Sequence, residues 1–111
     1  MSGFIYLASP YSHPDPAEKV KRYEHICRVA GKMMENGEQV FCPIAHSHPI
    51  EILGMTKIHD GDFWLKQDFA ILKHAKMLVV CMMPGWSSSW GVNAEIRFAE
   101  QNRIPVAYID P

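Results

Sequence analysis

With 111 residues, 48% of them hydrophobic and 21% charged, the chain is expected to form one domain over residues 1–111 with an apolar core that needs no disulfides. A formal charge of −1, from 11 basic and 12 acidic residues, excludes bulk attraction to a nucleic-acid polymer or an anionic membrane, so any phosphate must be held locally. Three cysteines (Cys27, Cys42 and Cys81) without paired spacing, no basic leader and no apolar run near the roughly 20 residues of a bilayer span lead us to expect a cytoplasmic protein with reduced thiols.

Residues 4–8 form a short apolar run, and Ser9-Pro10-Tyr11-Ser12-His13-Pro14 after it is turn chemistry, which predicts a buried first strand and a loop. Asp15, Pro16 and Glu18 carry a helix-start signature: a capping aspartate, proline at the first helical position and glutamate three residues after the cap. Apolar residues then recur at Val20, Tyr23, Cys27, Ala30, Met33 and Met34, until Asn36-Gly37 stops a long amphipathic helix. Residues 39–44 read as a second strand closed by Pro43. Residues 45–62 read as a polar loop, rich in histidine and glycine, with one short helix near 49–53.

Helical spacing returns over residues 63–72, with Lys73 and His74 near the C-terminus, where cations complement the helix dipole. Residues 77–83 are a third strand by their unbroken apolar character. A serine-rich loop, Pro84 to Trp90, leads to a helix after Gly91 that buries Val92, Ile96 and Ala99, and residues 105–109 are the closing strand. Strands alternating with helices at this spacing predict an α/β protein: a small doubly wound parallel sheet, a flavodoxin-like or Rossmann-like three-layer sandwich. In such sheets ligands sit beyond the carboxyl ends of the strands, so the loops after the first three strands are expected to share one crevice.

Glu95 leads the candidates for chemistry, because a carboxylate in the first turns of a helix behind a small-residue loop faces that crevice beside outward-pointing N–H groups. From position alone it is equally a surface glutamate favoured by the helix N-terminus. Asp68 sits within a helix among Trp64, Phe69 and Leu72, where aspartate is a poor helix former unless another demand holds it there. Tyr6 lies inside the first strand, either as core or with its phenol reaching the strand's C-terminal edge. Candidate substrate contacts come from the same loops: Ser9 and Tyr11 after the first strand, His46 after the second, Trp64 at the head of the next helix, and Ser87, Ser89 and Gly91 after the third. Tyr11, Trp64, Trp86 and Trp90 would stack on a flat base or simply pack.

His46 and His48 raise a metal reading, but no third ligand at zinc spacing accompanies them, so no metal is assigned. Walker-type and GxGxxG loops are absent, as are a GxSxG elbow and a cysteine placed with a histidine partner. ATP hydrolysis, dinucleotide oxidoreduction and acyl transfer are therefore disfavoured, and no cofactor is implied.

Four segments together resemble the nucleoside 2-deoxyribosyltransferase superfamily, which includes nucleoside 5′-monophosphate N-glycosidases. Ile5-Tyr6-Leu7-Ala8-Ser9-Pro10-Tyr11 is similar to its first strand and loop, residues 63–80 to its aspartate-bearing helix and following strand, Ser89-Trp90-Gly91-Val92-Asn93-Ala94-Glu95-Ile96 to its catalytic-glutamate motif, and residues 105–109 to its closing strand. The resemblance implies Glu95 as nucleophile at the anomeric carbon, Asp68 as sugar ligand or proton relay to the leaving base, and Tyr6 as the group that orients Glu95. It also implies a nucleoside or nucleotide as partner and a homo-oligomer, to which apolar helix faces such as those of Trp64 and Phe98 would contribute. Two features depart from the transferases. Ser89 stands six positions before Glu95, where they commonly carry a base-contacting acid, and the sequence stops at Pro111 without their C-terminal extension. A serine at that position is a feature of the monophosphate glycosidases, which makes Ser87, Ser88 and Ser89 a phosphate-site hypothesis. The rival readings are a catalytically silent nucleotide-binding or sensing module on the same fold, and a metal-dependent hydrolase using His46 and His48.

Overall fold

The computed structural model describes residues 3–111. Four parallel strands form one sheet: β1 (Ile5–Ala8), β2 (Val40–Phe41), β3 (Met77–Cys81) and β4 (Val106–Ile109), in the order β2-β1-β3-β4. The helices are α1 (Pro16–Glu35), α2 (Pro43–Gly54), α3 (Gly61–Leu72) and α4 (Trp90–Gln101), with a 3₁₀ turn over Trp86–Ser88. This is the α/β doubly wound architecture expected from the alternation of elements.

Strand alternation divides the core in two. Ile5, Leu7, Val79 and Cys81 face α1, where they meet Ile26 and Ala30, whereas Tyr6, Ala8, Leu78 and Val80 face α3 and α4, where they meet Leu72, Val92 and Ala99. Side chains alternate with a period of two, so Tyr6 can only project toward the α3–α4 layer. The chain leaves β1 in one direction to reach β2 and passes to the other side of β1 for β3. That reversal opens a crevice beyond the strand ends.

Helix starts follow local chemistry. Asp15 caps α1 by accepting the Ala17 N–H at 3.0 Å, with Pro16 in the first turn. Glu18 does not complete a capping box. The Asp15 N–H instead goes to His13 Nδ1 at 3.0 Å, and Glu18 pairs with Lys21 at 3.3 Å. The buried side of α1 is centred on Ile26 and Ala30, while Val20 and Met34 of the predicted stripe are exposed.

The second quarter of the chain corrects the sequence expectation. The predicted strand over 39–44 shrinks to Val40–Phe41, and the predicted loop over 45–62 gives way to helix from Pro43 to Gly54. Pro43 starts this helix rather than closing the strand, since its fixed φ suits the first helical turn and its missing N–H would be unpaired there anyway. Pro49 sits inside α2, costing one backbone bond, and Ile52 and Leu53 lie exposed, so the segment lacks the one-sided apolar pattern that signals a helix. Smaller shifts occur elsewhere. β3 stops at Cys81, α3 starts at Gly61 behind an Asp60 cap, and α4 starts at Trp90 behind a Ser89 cap.

Among the described residues no helix is long and apolar enough to cross a membrane.

Candidate active site

A cavity of about 470 Å³ opens at the carboxyl ends of β1 and β3, walled by the segments after both strands and by α1, α2, α3 and α4. Glu95 and Asp68 line it, and Tyr6 lies beneath, fully buried. Glu95 occupies the buried stripe of α4 between Val92 and Ala99, a position at which an amphipathic helix ordinarily places an apolar residue. Asp68 stands on α3 one turn before buried Leu72.

The Tyr6 hydroxyl donates to Glu95 Oε2. Burial, reinforced by the nearby Glu95 and Asp68 charges, pushes the phenol well above its ordinary range, so it remains a donor at physiological pH. Burial also raises the Glu95 carboxyl to about 8; the Tyr6 hydrogen bond opposes that rise and Asp68 adds to it. Asp68 is pushed up to about 7, again by burial, with the Tyr6 phenol tempering the shift. Two carboxyls in one desolvated site resist ionising together, so near neutrality the pair holds about one proton between them. One acid and one base are thereby available at adjacent positions. Asp68, with the lower value, ionises first, and the Tyr6 hydrogen bond opposes the rise in both carboxyls.

A second polar cluster forms the opposite wall. His48 is buried, stacked on Tyr23 at 4.0 Å between ring centroids, and its Nδ1 shares a hydrogen bond with the Tyr11 hydroxyl. Burial lowers the His48 pKa from its ordinary value, more than offsetting the opposing pull of Glu51. Lys19 lies 3.9 Å from Glu51 and over the Tyr11 ring, 4.8 Å from its centroid. Arg22 staples two loops of the rim, its Nη1 donating to the Ser12 carbonyl at 2.9 Å and its Nη2 to the Pro84 carbonyl at 3.5 Å.

The serine-rich loop is bound up in its own geometry. Ser89 Oγ accepts the Val92 N–H at 3.2 Å as the α4 cap, Ser88 Oγ donates to the Gly85 carbonyl at 3.3 Å, and Asn93 Nδ2 donates to the carbonyls of Ser87 and Ser89. Ser9 differs from these. It is buried on the cavity wall and its Oγ has no hydrogen-bond partner, a costly state that a ligand oxygen or nitrogen would relieve.

Of the residues singled out in the sequence, the structure gathers Ser9, Tyr11, Trp64, Asp68, Ser89, Gly91 and Glu95 on one cavity, with Tyr6 bonded to Glu95 beneath it. It does not bring His46 or Ser87 to that wall. His46 packs toward Phe41, 5.5 Å between ring centroids, because α2 is helical and residues two apart, such as His46 and His48, turn to nearly opposite sides. His48 takes the cavity-lining place instead. Lys19, Arg22, Glu51 and Gly61 also line the cavity and were not among the predicted site residues. Reading Pro43 as a first helical position would have exposed Ile44, Ser47, His48 and Glu51 as one face of α2. Among the described residues no group of three or more His, Cys, Asp and Glu is placed to hold a metal ion.

The fold is a parallel α/β sheet whose strand ends carry a cavity lined by two carboxyls above a buried tyrosine. Residues 3–110 match the family described as a domain of unknown function, DUF1937, and the chain belongs to that family. The structure is similar to a 2-deoxyribosyltransferase from the psychrotolerant bacterium Bacillus psychrosaccharolyticus, with a TM-score of 0.68 at 20% sequence identity, covering 96% of this chain and 72% of that one. The two proteins share a fold. No curated protein matches the sequence.

Proposed function

We propose that the protein cleaves the N-glycosidic bond of a nucleoside or nucleoside 5′-monophosphate, passing the sugar to water or to another base. The observation that carries this reading is the Tyr6–Glu95 hydrogen bond beside Asp68 on the floor of the cavity. Glu95 Oε attacks the anomeric carbon as the carbon–nitrogen bond breaks. The electron pair of that bond goes to the base nitrogen, and the Asp68 proton neutralises the departing base. The transition state carries oxocarbenium character, which the Glu95 carboxylate stabilises before trapping it as an ester. Water, or an incoming base, then attacks the same carbon, its proton passes to the Asp68 carboxylate, and the carbon–oxygen bond to Glu95 breaks to free the glutamate. No step calls for a cofactor. The fold shared with a 2-deoxyribosyltransferase supports the reading, and so does the orphaned Ser9 hydroxyl, which a sugar or phosphate oxygen would satisfy. A 5′-phosphate would lie at the edge formed by Ser88, Ser89 and the start of α4, where helix N–H groups favour an anion.

The test is release of free base from a panel of nucleosides and nucleoside 5′-monophosphates, separated chromatographically. The wild-type chain is expected to release base, Glu95→Ala to lose at least a thousandfold of the rate, and intact-mass measurement to catch a glycosyl adduct on Glu95. No release from any member of the panel sinks the proposal.

A further inference from the structure

Gly61 opens α3 and Trp90 opens α4, and the two residues meet at the mouth of the cavity. A Cβ built on Gly61 would lie 2.4 Å from Trp90 Cζ3 and 3.1 Å from Trp90 Cε3, so the indole edge rests on bare backbone where no methyl group fits. Trp90 is nevertheless 56% exposed, and it lines both the cavity and the shallow groove between α3 and α4. An aromatic ring seated on glycine yet left open to water does not serve the core, which closes without it around Val92 and Ala99. Trp64 lines the same wall one turn before Asp68, braced edge-on by Phe63 at 5.1 Å between ring centroids.

Resting on the reading above, in which Asp68 protonates the departing base, the base must lie against the α3–α4 wall. We infer that Trp90, seated on Gly61, is a specificity-determining platform on which the planar heteroaromatic base of the substrate packs. Ring faces recognise flat, polarisable ligands without demanding a particular hydrogen-bond pattern, and the glycine seat sets where the indole stands across the mouth. Any side chain at position 61 would push the indole off that seat, so Gly61 acts through Trp90 as a positioning residue.

The experiment measures calorimetric binding of two free bases, adenine and cytosine, with ribose 5-phosphate as a sugar-side probe, to the full chain and its variants. Trp90→Ala is expected to weaken binding of whichever base the wild type takes by about tenfold while leaving ribose 5-phosphate unchanged. Trp90→Phe retains most of the affinity and shows that loss in the alanine variant is not loss of fold. Gly61→Ala weakens base binding in the wild-type background but adds nothing to Trp90→Ala, because the clash it creates needs the indole. In turnover, Trp90→Ala raises KM for base release with kcat retained. The inference is overturned if the wild type binds neither base, if Trp90→Ala binds base like the wild type or loses both probes equally, or if Gly61→Ala acts as strongly without Trp90. Base binding through Trp90 without base release keeps the platform and removes the glycosidase reading. Base release that is indifferent to Trp90 does the reverse.

Discussion

The Tyr6 phenol donates to Glu95 Oε2 from the middle strand region of the sheet, tying β1 to α4 across most of the sequence. Removing that donor is the most direct probe of the site. Tyr6→Phe keeps the ring and its core contacts but leaves the buried carboxylate without its partner. A hydrogen bond to a charged group contributes about 1.5–3 kcal/mol, so base release should fall by roughly 10- to 100-fold, mostly in kcat. Steady-state kinetics on the fastest substrate check this, and an unchanged kcat removes Tyr6 from the mechanism.

The raised carboxyls predict a bell-shaped dependence of rate on pH. Turnover needs Glu95 ionised and Asp68 protonated, which is the minor form of the singly protonated pair that exists between the two titrations, at about 7 for Asp68 and about 8 for Glu95. Below this window both are protonated and the nucleophile is lost; above it both are ionised and the acid is lost. The plot of kcat/KM against pH should therefore have an acid limb and an alkaline limb on either side of it. A rate that stays level from pH 5 to pH 9 contradicts the assignment.

The same shifts have a stability consequence with a definite sign. Both groups have folded pKa values above their ordinary ones, so the native state holds protons that the unfolded chain has already released. Stability is then greatest below about pH 4 as far as these two groups are concerned, and declines as pH rises through 7 to 8. Glu95→Gln keeps an acceptor for the Tyr6 hydroxyl and removes the buried charge. At pH 8 it should be more stable than the wild type by on the order of 1–3 kcal/mol, and at pH 4 nearly equal. Thermal unfolding at the two pH values measures the difference, and a destabilised variant at pH 8 would show that the charge is not being held against its solvation.

These predictions rest on residues of very different visibility in the sequence. The unbroken apolar character of β1 and the helical spacing around Val92 and Ala99 were plain, so the layers were legible, whereas the sequence left Tyr6 open between core and strand edge. Asp68 was legible as a charge among apolar helix neighbours and Glu95 as a carboxylate in the first turns of a helix behind a small-residue loop, but their convergence depends on tertiary pairing that no local pattern records. α2 was hidden because Pro43 read as the end of a strand and Pro49 as the start of only a short helix, and because Ile52 and Leu53 face outward, which blurred the apolar stripe and put His46 where His48 stands. The contact of Gly61 with Trp90 left no sequence signal, since a glycine at a helix start is commonplace and only the neighbouring helix reveals why a side chain would not fit.

Ser89 separates a structural role from a binding role. Its Oγ caps α4 by accepting the Val92 N–H, and the same residue lines the cavity. Ser89→Ala removes the cap and should cost about 1 kcal/mol, read as a drop of roughly 5 °C in Tm. Ser89→Asp retains a good capping oxygen, and its charge suits the helix N-terminus, so stability should stay within about 0.5 kcal/mol of the wild type. That carboxylate nevertheless places negative charge where a 5′-phosphate would lie. A nucleoside 5′-monophosphate should then lose at least tenfold in kcat/KM, while the unphosphorylated nucleoside changes little. Equal effects on both substrates would move the phosphate away from this edge of the cavity, toward the wall that carries Lys19 and Arg22.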